Sequence, residues 1–436
     1  MNNKTLNPAE ILQALIRFDT TNPPGNEHLA IHWVRDLLAQ YGIESTLLAK
    51  DPARPNLLAR LKGSGNAPPL LLQGHVDVVT TAGQDWKYPP FGGEIHDGYL
   101  WGRGALDMKG AVAMMIAAFL KAKAENTKLP GDVILCLLAD EEAGGNFGAK
   151  FLVEEHADYF AGVRFALGEF GGFSMNVSGS TVYPIMVSEK QICWLRVTLR
   201  GPAGHGSMLH RGGAMARLGQ VLQTLDRQML PLHVTPPVRQ MITAMADALS
   251  FPKNVLIRQV LNPALSASVI GMMGDTSKAI QPLLHNTVNA TIVHGGHKVN
   301  VIPSEITLNL DGRLLPGFKP EQMLAEIHTL LGDDLEIEVF RYDPGPKAPN
   351  MENFDALAKI LKEQDPQGHP IPFVISGVTD ARFFSRLGIQ TYGFTPMVLP
   401  DDFKFAATIH AANERIPVAA LDFGTQAIFR AFQVAG

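Results

Sequence analysis

The chain has 436 residues, of which 46% are apolar and 18% charged, with 37 basic and 42 acidic residues and a formal charge of −5. That length exceeds what one hydrophobic core usually serves, so two domains are expected, and the apolar content excludes a largely disordered chain. The basic residues are spread along the chain rather than gathered in a stripe, so nucleic acid is not an expected partner.

The first stretch, MNNKTLNPAEILQALIRFDTT, reads as an amphipathic helix with charges inside it, and lacks the basic start, apolar middle and cleavage site of a signal peptide. The strongest apolar run, AVAMMIAAFL, stops at Lys121 and Lys123, well short of the ~20 residues that cross a bilayer. A cytoplasmic protein with no membrane association is expected. Up to about residue 187 helix and strand alternate, with apolar runs PLLLQG (69–74), VILCLLA (133–139) and RFALGEF (164–170) that suit parallel strands covered on both faces. Between the first two, KGAVAMMIAAFLKAKAEN is helical by propensity, which completes a βαβ unit. Cys136 and Cys193 lie in strand-like apolar runs, where unpaired buried thiols are expected rather than a disulfide.

From KQICWLRVTLRG (189–201) onward the apolar residues alternate, as in a strand with one wetted face. There follow a helix over GAMARLGQVLQTLDRQ, a Pro-containing irregular stretch (230–264), the strand-like ITLNLDGRLLPG, a helix after Pro320 and the strand EIEVFRY. Two helices on one antiparallel sheet fit that order. From about 349 the alternating pattern returns with the helix FDALAKILKEQ, the strand PFVIS, a helix at DARFFSRLG, the strand QTYGFTP and the helix VAALDFGTQAIFRAF. The expected fold is therefore α/β: a doubly wound, mainly parallel sheet domain (1–187 and 345–436) interrupted by a smaller ferredoxin-like α+β domain (188–344).

His75, Asp107, Glu142, Glu169 and His410 all fall at or just beyond the ends of predicted strands or at a strand-to-helix junction. Open α/β sheets place their sites outside the carboxyl ends of the strands, so these five can converge as metal ligands. In LLLQGHVDVV, Asp77 follows His75 by two residues and is placed to hold its imidazole. In GRGALDMKG, Asp107 precedes the helix that begins near Lys109, which allows either an N-cap or a carboxylate shared by two cations. In VILCLLADEEAGG, the adjacent acids Glu141 and Glu142 end an apolar strand; one can ligate a metal while the other takes a proton from water. His28 and His32 stand four apart in EHLAIHWVRDLL without the order H-E-x-x-H or a nearby third ligand, so they read as a helix face.

The ordered set LLLQGHVDVV, GRGALDMKG, ADEEAGG, GEFGGF, PAGHGS, KVNVIP, GRLLPG, GVTDAR and IHAANERIP resembles the M20 family of aminoacylases, carboxypeptidases and dipeptidases over nearly the whole chain. The resemblance implies two Zn²⁺ per chain, with Co²⁺ or Mn²⁺ as substitutes, in which Asp107 bridges, His75 and Glu169 complete one side, and Glu142 and His410 the other. It implies Glu141 as general base. It also implies a homodimer through the inserted lid domain, with His205 reaching a neighbouring subunit's site to stabilise the oxyanion. Asn300, Arg313, Gly377 and Thr379 are the implied substrate-binding residues, with the planar fork of Arg313 suited to a substrate carboxylate. Where the family often has Pro before the histidine that follows PAGHGS, this chain has Leu209 before His210, which weakens a role for His210; the 230–285 stretch is also longer than in compact members.

The expected activity is hydrolysis of an amide or peptide bond beside a carboxylate-bearing residue, in a small peptide or N-acyl amino acid. By the family resemblance, a Glu at position 169 goes with carboxypeptidase or deacylase activity and an Asp with aminopeptidase activity, which tilts the reading to the former. Two alternatives are a free-amine dipeptidase or aminopeptidase of the same family, and a catalytically silent metal-containing binding protein, against which the presence of Glu141 speaks. No G-x-S-x-G, G-K-[ST] or G-x-G-x-x-G motif occurs.

Overall fold

The computed structural model describes residues 7–274 and 277–434, so the start of the N-terminal helix expectation lies outside the described residues. The chain divides into two compact units, one comprising Met1–Val187, Asn350–Phe373 and Thr379–Gly436, the other Ser188–Pro349 and Val374–Val378. Among the described residues no helix is long and apolar enough to cross a membrane.

The first unit is built on a sheet whose strands lie in the order Ser45–Leu48, Asn56–Leu61, Val133–Leu138, Leu70–His75, Phe165–Gly168, Gln390–Gly393, Ser180–Glu189 and His369–Ile375. Its centre is parallel: Leu70–His75 pairs in parallel with both Val133–Leu138 and Phe165–Gly168, and the last pairs in parallel with Gln390–Gly393. These strands are buried along their length, as continuous apolar runs covered on both faces must be. The helix Lys109–Ala124 returns the chain between two of them. Met114, Met115, Ile116, Phe119 and Leu120 on its successive faces are all fully buried, which explains why its sequence shows no polar stripe. At Gly424 the helix Val418–Val434 approaches so closely that an added Cβ would fall 2.2 Å from the sulfur of Met114.

The strand Ser180–Glu189 is absent from the sequence expectation. It carries Pro184 inside a run that otherwise reads as a strand, and it pairs antiparallel with Gln390–Gly393 through Gly393 and Met186. The antiparallel strands at the sheet's margins make it mixed while its centre stays parallel.

The second unit holds a four-stranded antiparallel sheet in the order Thr287–Gly295, Glu305–Leu314, Gln191–Arg200, Glu336–Asp343. Helices Ala214–Arg227 and Pro320–Leu331 pack on it, with Val197, Leu199, Val221, Leu308, Leu310 and Met323 in the shared core. The stretch expected to be irregular, 230–264, is largely helical instead, with helices Pro236–Ala248 and Lys253–Arg258, and two further helices, Ser266–Met272 and Ser277–Leu284, follow it. Proline misled the reading there: Pro236 stands at the first helical position, where its missing N–H costs nothing.

Candidate metal centre

The parallel strands bring their carboxyl ends level. Leu70 pairs with both Val133 and Phe165, so His75, opposite Leu138, closes its strand two residues before Asp140 begins the turn that carries Glu141 and Glu142. Glu169 follows immediately after Phe165–Gly168. Asp107 lies just before the helix Lys109–Ala124, whose N-cap is Met108, so its carboxylate is not spent on the cap. His410 arrives from the other end of the chain on a loop, at φ 60.

These five side chains form two clusters that share Asp107. Nε2 of His75 lies 3.2 Å from Asp107 Oδ1 and 3.2 Å from Glu169 Oε2. Nε2 of His410 lies 3.1 Å from Asp107 Oδ2 and 3.2 Å from Glu142 Oε1. Each cluster presents three ligand atoms within 4.8 Å of one another. Tetrahedral bonds of about 2.0–2.1 Å to zinc would set ligand atoms about 3.3 Å apart, so the spacing fits. The buried Glu142 Oε1 faces Nε2 of His410 at 3.2 Å and has no other hydrogen-bond partner among the described residues.

The electrostatics also call for cations. Burial pushes the carboxyl of Glu141 well up, aided by the nearby Glu169 charge, and pushes Glu142 up to about 7 against the hydrogen bond from His410. Burial raises Glu169 as well, and Asp380 to about 7. Burial alone would lower His75, but hydrogen bonds to Asp107, Asp77 and Glu169 raise it well above the ordinary range. Hydrogen bonds to Asp107 and Glu142 push His410 up to about 10. Too many acids share too little positive charge, and divalent ions displacing the histidine protons would relieve both excesses.

Asp77 meets Nδ1 of His75 twice, through its main-chain carbonyl at 2.9 Å and its carboxylate at 3.5 Å. The carboxylate also accepts from the backbone N–H groups of Glu141 and Glu142, each at 3.1 Å, and from Asn22 at 2.8 Å. It therefore fixes the turn bearing the two glutamates. Behind it lies a buried network that sequence reasoning missed. Arg54 donates to Glu27 at 2.6 Å and pairs with Asp140 at 3.0 Å, and Asp140, in the left-handed region at φ 70, also accepts from Asn22 at 3.1 Å and from the N–H of Phe147 at 3.1 Å. Oε1 of Glu141 lies 3.7 Å from a guanidinium nitrogen of Arg382, which also donates to the Thr379 carbonyl at 2.6 Å.

The remaining candidates belong elsewhere. In the second unit His205 is exposed, with Nδ1 2.8 Å from Ser207 Oγ, and the carbonyl of Asn300 accepts from the N–H of Gly206 at 2.9 Å. The ring of His210 packs against Gly204. Arg313 is held in a two-point ion pair by Asp311, at 2.8 and 3.1 Å, while Asp311 also accepts from the Trp194 indole at 3.0 Å. Arg313, Asp311 and Gly377 line a cavity of about 560 Å³ within this unit, whose apolar walls include Leu225, Met229, Leu230, Val288 and Leu330. Thr379 is not among the lining residues; it is buried in the first unit, its hydroxyl accepting from the N–H of Ala381 at 3.1 Å. His28 and His32 contact each other edge to face and belong to neither ligand cluster.

A family model described as peptidase family M20/M25/M40 matches residues 71–433. Among curated proteins, N-fatty-acyl-amino acid synthase/hydrolase PM20D1 of Xenopus tropicalis is 28% identical over 380 residues, covering 85% of this chain and 73% of the relative. Aminoacylase-1 of Homo sapiens is 24% identical over 398 residues, covering 89% and 86%. Among solved structures, the M20 family metallo-carboxypeptidase of Sulfolobus solfataricus aligns with a TM-score of 0.69 at 16% identity, over 100% of this chain and 99% of that one. Human carnosine dipeptidase 1 aligns with a TM-score of 0.66 at 18% identity, over 98% and 95%. At such identities the solved structures speak for the fold, whereas the family match spans most of the sequence: the chain belongs to peptidase family M20/M25/M40 and is a hydrolase of that family.

Proposed function

We propose that this chain is a two-metal amidohydrolase that releases a carboxylate-bearing residue from an N-acyl amino acid or small peptide. One observation carries the reading: the two oxygens of Asp107 face two different histidines, at 3.2 and 3.1 Å, which is the arrangement a bridging carboxylate needs. His75, Asp107 and Glu169 would hold one ion, and Asp107, Glu142 and His410 the other. The mixed imidazole and carboxylate donors suit zinc, with cobalt or manganese as substitutes. When bound, such ions lower the pKa of water and polarise a carbonyl.

Glu141, beside the cluster and not part of it, takes the proton from the attacking water and returns it to the departing nitrogen. Its raised proton affinity suits both halves of that task. Arg382 and the Asp77-anchored turn hold it in place. The ring crevice of Phe170, Phe405 and Ile409 beside Asp107 and Glu169 keeps the surroundings apolar, which strengthens the electrostatics. His205, supplied by the partner subunit, donates to the developing oxyanion.

Two features support a choice of substrate and of assembly. The relative named as an N-fatty-acyl-amino acid synthase/hydrolase supports an N-acyl amino acid as the substrate. With its fork occupied by Asp311, Arg313 meets a substrate carboxylate only by exchanging that partner. The strand Thr287–Gly295 forms an open edge of its sheet with Ile292 and Val293 about half exposed, a surface on which a second copy would pair.

The test is elemental analysis together with release of free amino acid from a panel of N-acyl amino acids and dipeptides. About two ions per chain, with activity lost to chelator and N-acyl amino acids preferred, is the expected result. Preference for unblocked dipeptides would reassign the substrate. In Glu141→Gln, kcat should fall by ~10²–10⁴ with metal retained; loss of metal instead would exchange the roles of base and ligand.

A further inference from the structure

Outside the donor set, Arg103 and Glu414 form an ion pair of 2.6 Å in which Arg103 is 1% and Glu414 0% exposed. The antiparallel pairing of Trp101 with Arg415 sets them side by side. Each member is tied to the main chain of a different metal-ligand candidate. Oε1 of Glu414 accepts from the N–H groups of Leu106 and Asp107, at 2.8 and 3.1 Å. Arg103 donates to the carbonyls of Ala411 and His410, at 3.3 and 3.2 Å. Gln84 adds a second N–H to the His410 carbonyl at 2.8 Å, while its own Oε1 accepts from Arg103 at 2.8 Å and from the Trp86 indole at 3.2 Å. The ring of Trp86 covers the guanidinium at 5.2 Å.

The two histidines differ in what holds them. His75 ends a strand paired on both sides, and its ring is 1% exposed. His410 stands in a loop, its side chain 50% exposed and its backbone at φ 60, a conformation that persists in a non-glycine residue only where the surroundings over-determine it. Those surroundings are Arg103 and Gln84.

We propose that Arg103 and Gln84, with Glu414 pairing Arg103 from behind, act as a positioning clamp on His410 that sets the ion affinity of the Asp107, Glu142 and His410 half of the centre, and not that of the His75, Asp107 and Glu169 half. The inference rests on the two-ion reading. Partners behind a ligand are commonly worth 10–100-fold in metal affinity. Here the effect of Arg103 and Gln84 falls on one ion, because both donate to the His410 carbonyl, whereas Glu414 also holds the main chain of Asp107, which the two halves share.

The test is calorimetric titration of the metal-free protein with Zn²⁺, paralleled by Co²⁺ absorption spectra, for the natural protein, Gln84→Ala, Arg103→Lys and Glu414→Gln. Gln84 is partly exposed, so Gln84→Ala keeps the question answerable if either buried change prevents folding. The expected result for Gln84→Ala and Arg103→Lys is one ion bound as before and the other weakened by about 10–100-fold, with the melting temperature of the metal-free Gln84→Ala protein unchanged, while Glu414→Gln weakens both ions. Unchanged affinity for both ions in Gln84→Ala, or equal weakening of both, would overturn the clamp. If the natural protein takes up fewer than two ions, the two-ion reading itself fails, and the clamp with it.

Discussion

Replacing Arg54 by Met tests whether the buried network behind the site holds charge as described. Arg54 is 6% exposed and Glu27 0%. Its loss leaves Asp140 with two donors, Asn22 and the N–H of Phe147, but leaves Glu27 only the N–H of Asp140 at 3.3 Å. Breaking a buried pair in this way costs about 3–5 kcal/mol. A second route bounds that cost: Glu27 can take up a proton, and protonating a carboxyl with an ordinary value of 4.5 at pH 7 costs about 3.4 kcal/mol at 1.36 kcal/mol per pH unit. At pH 5.5 the same route costs about 1.4 kcal/mol. In the variant the folded state would bind a proton that the unfolded state lacks, so its stability falls as pH rises. Urea denaturation of both proteins at the two pH values, followed through the first unit, should give a destabilisation near 3 kcal/mol at pH 7 and roughly half that at pH 5.5. A loss below about 1 kcal/mol, or one independent of pH, would refute a charged Glu27–Arg54 pair.

Asp107→Asn should abolish retention of both ions, whereas Glu169→Gln should weaken only one, as read by elemental analysis after dialysis. Gly25→Ala places a Cβ 2.3 Å from the Arg54 guanidinium at φ +79 and should cost more than about 1 kcal/mol in denaturant melts. Lys190, 1% exposed, donates to the Pro282 and His285 carbonyls and to Thr287, while burial, with Arg313 nearby, lowers its amine to about 7 from 10.5. Between those values the unfolded chain binds the extra proton, so the second unit gains stability as pH rises from about 7 to 10.5, by at most about 5 kcal/mol. In Lys190→Met that slope should flatten; an unchanged slope would assign it to other groups.

His75, Asp107, Glu141, Glu142 and Glu169 were legible because each ends or follows an apolar strand or precedes a helix, and strand ends are where an open α/β sheet gathers its site, whereas His410 stands on a loop and was legible only within the motif IHAANERIP. The helix Phe354–Gln364 and the strands flanking it were legible from periodicity. The supporting residues were not. Asn22, Glu27, Arg54, Arg103 and Glu414 are polar residues whose partners lie from 19 to 311 positions away, and no local pattern announces such pairs. Arg103 and Glu414 did stand inside the motifs GRGALDMKG and IHAANERIP, a signal that could have marked them. Helices begun by proline and strands interrupted by it, as at Pro236 and Pro184, were misread because proline's cost depends on whether an N–H was needed there.

If the five candidate ligands hold two ions as proposed, their order along the chain bears on how those ions would be acquired during synthesis. Four candidate ligands lie between residues 75 and 169, while the fifth stands at 410, held through Arg103 and Glu414. A growing chain therefore displays His75, Asp107 and Glu169 together long before His410 leaves the ribosome. One ion can find its three donors early, but the second must wait until the whole second unit has been made and the strand Arg415–Pro417 has paired with Tyr99–Trp101. Under the two-ion proposal, loading would be ordered in time, and Glu141, the proposed base, would not be brought into use before the polypeptide is nearly finished.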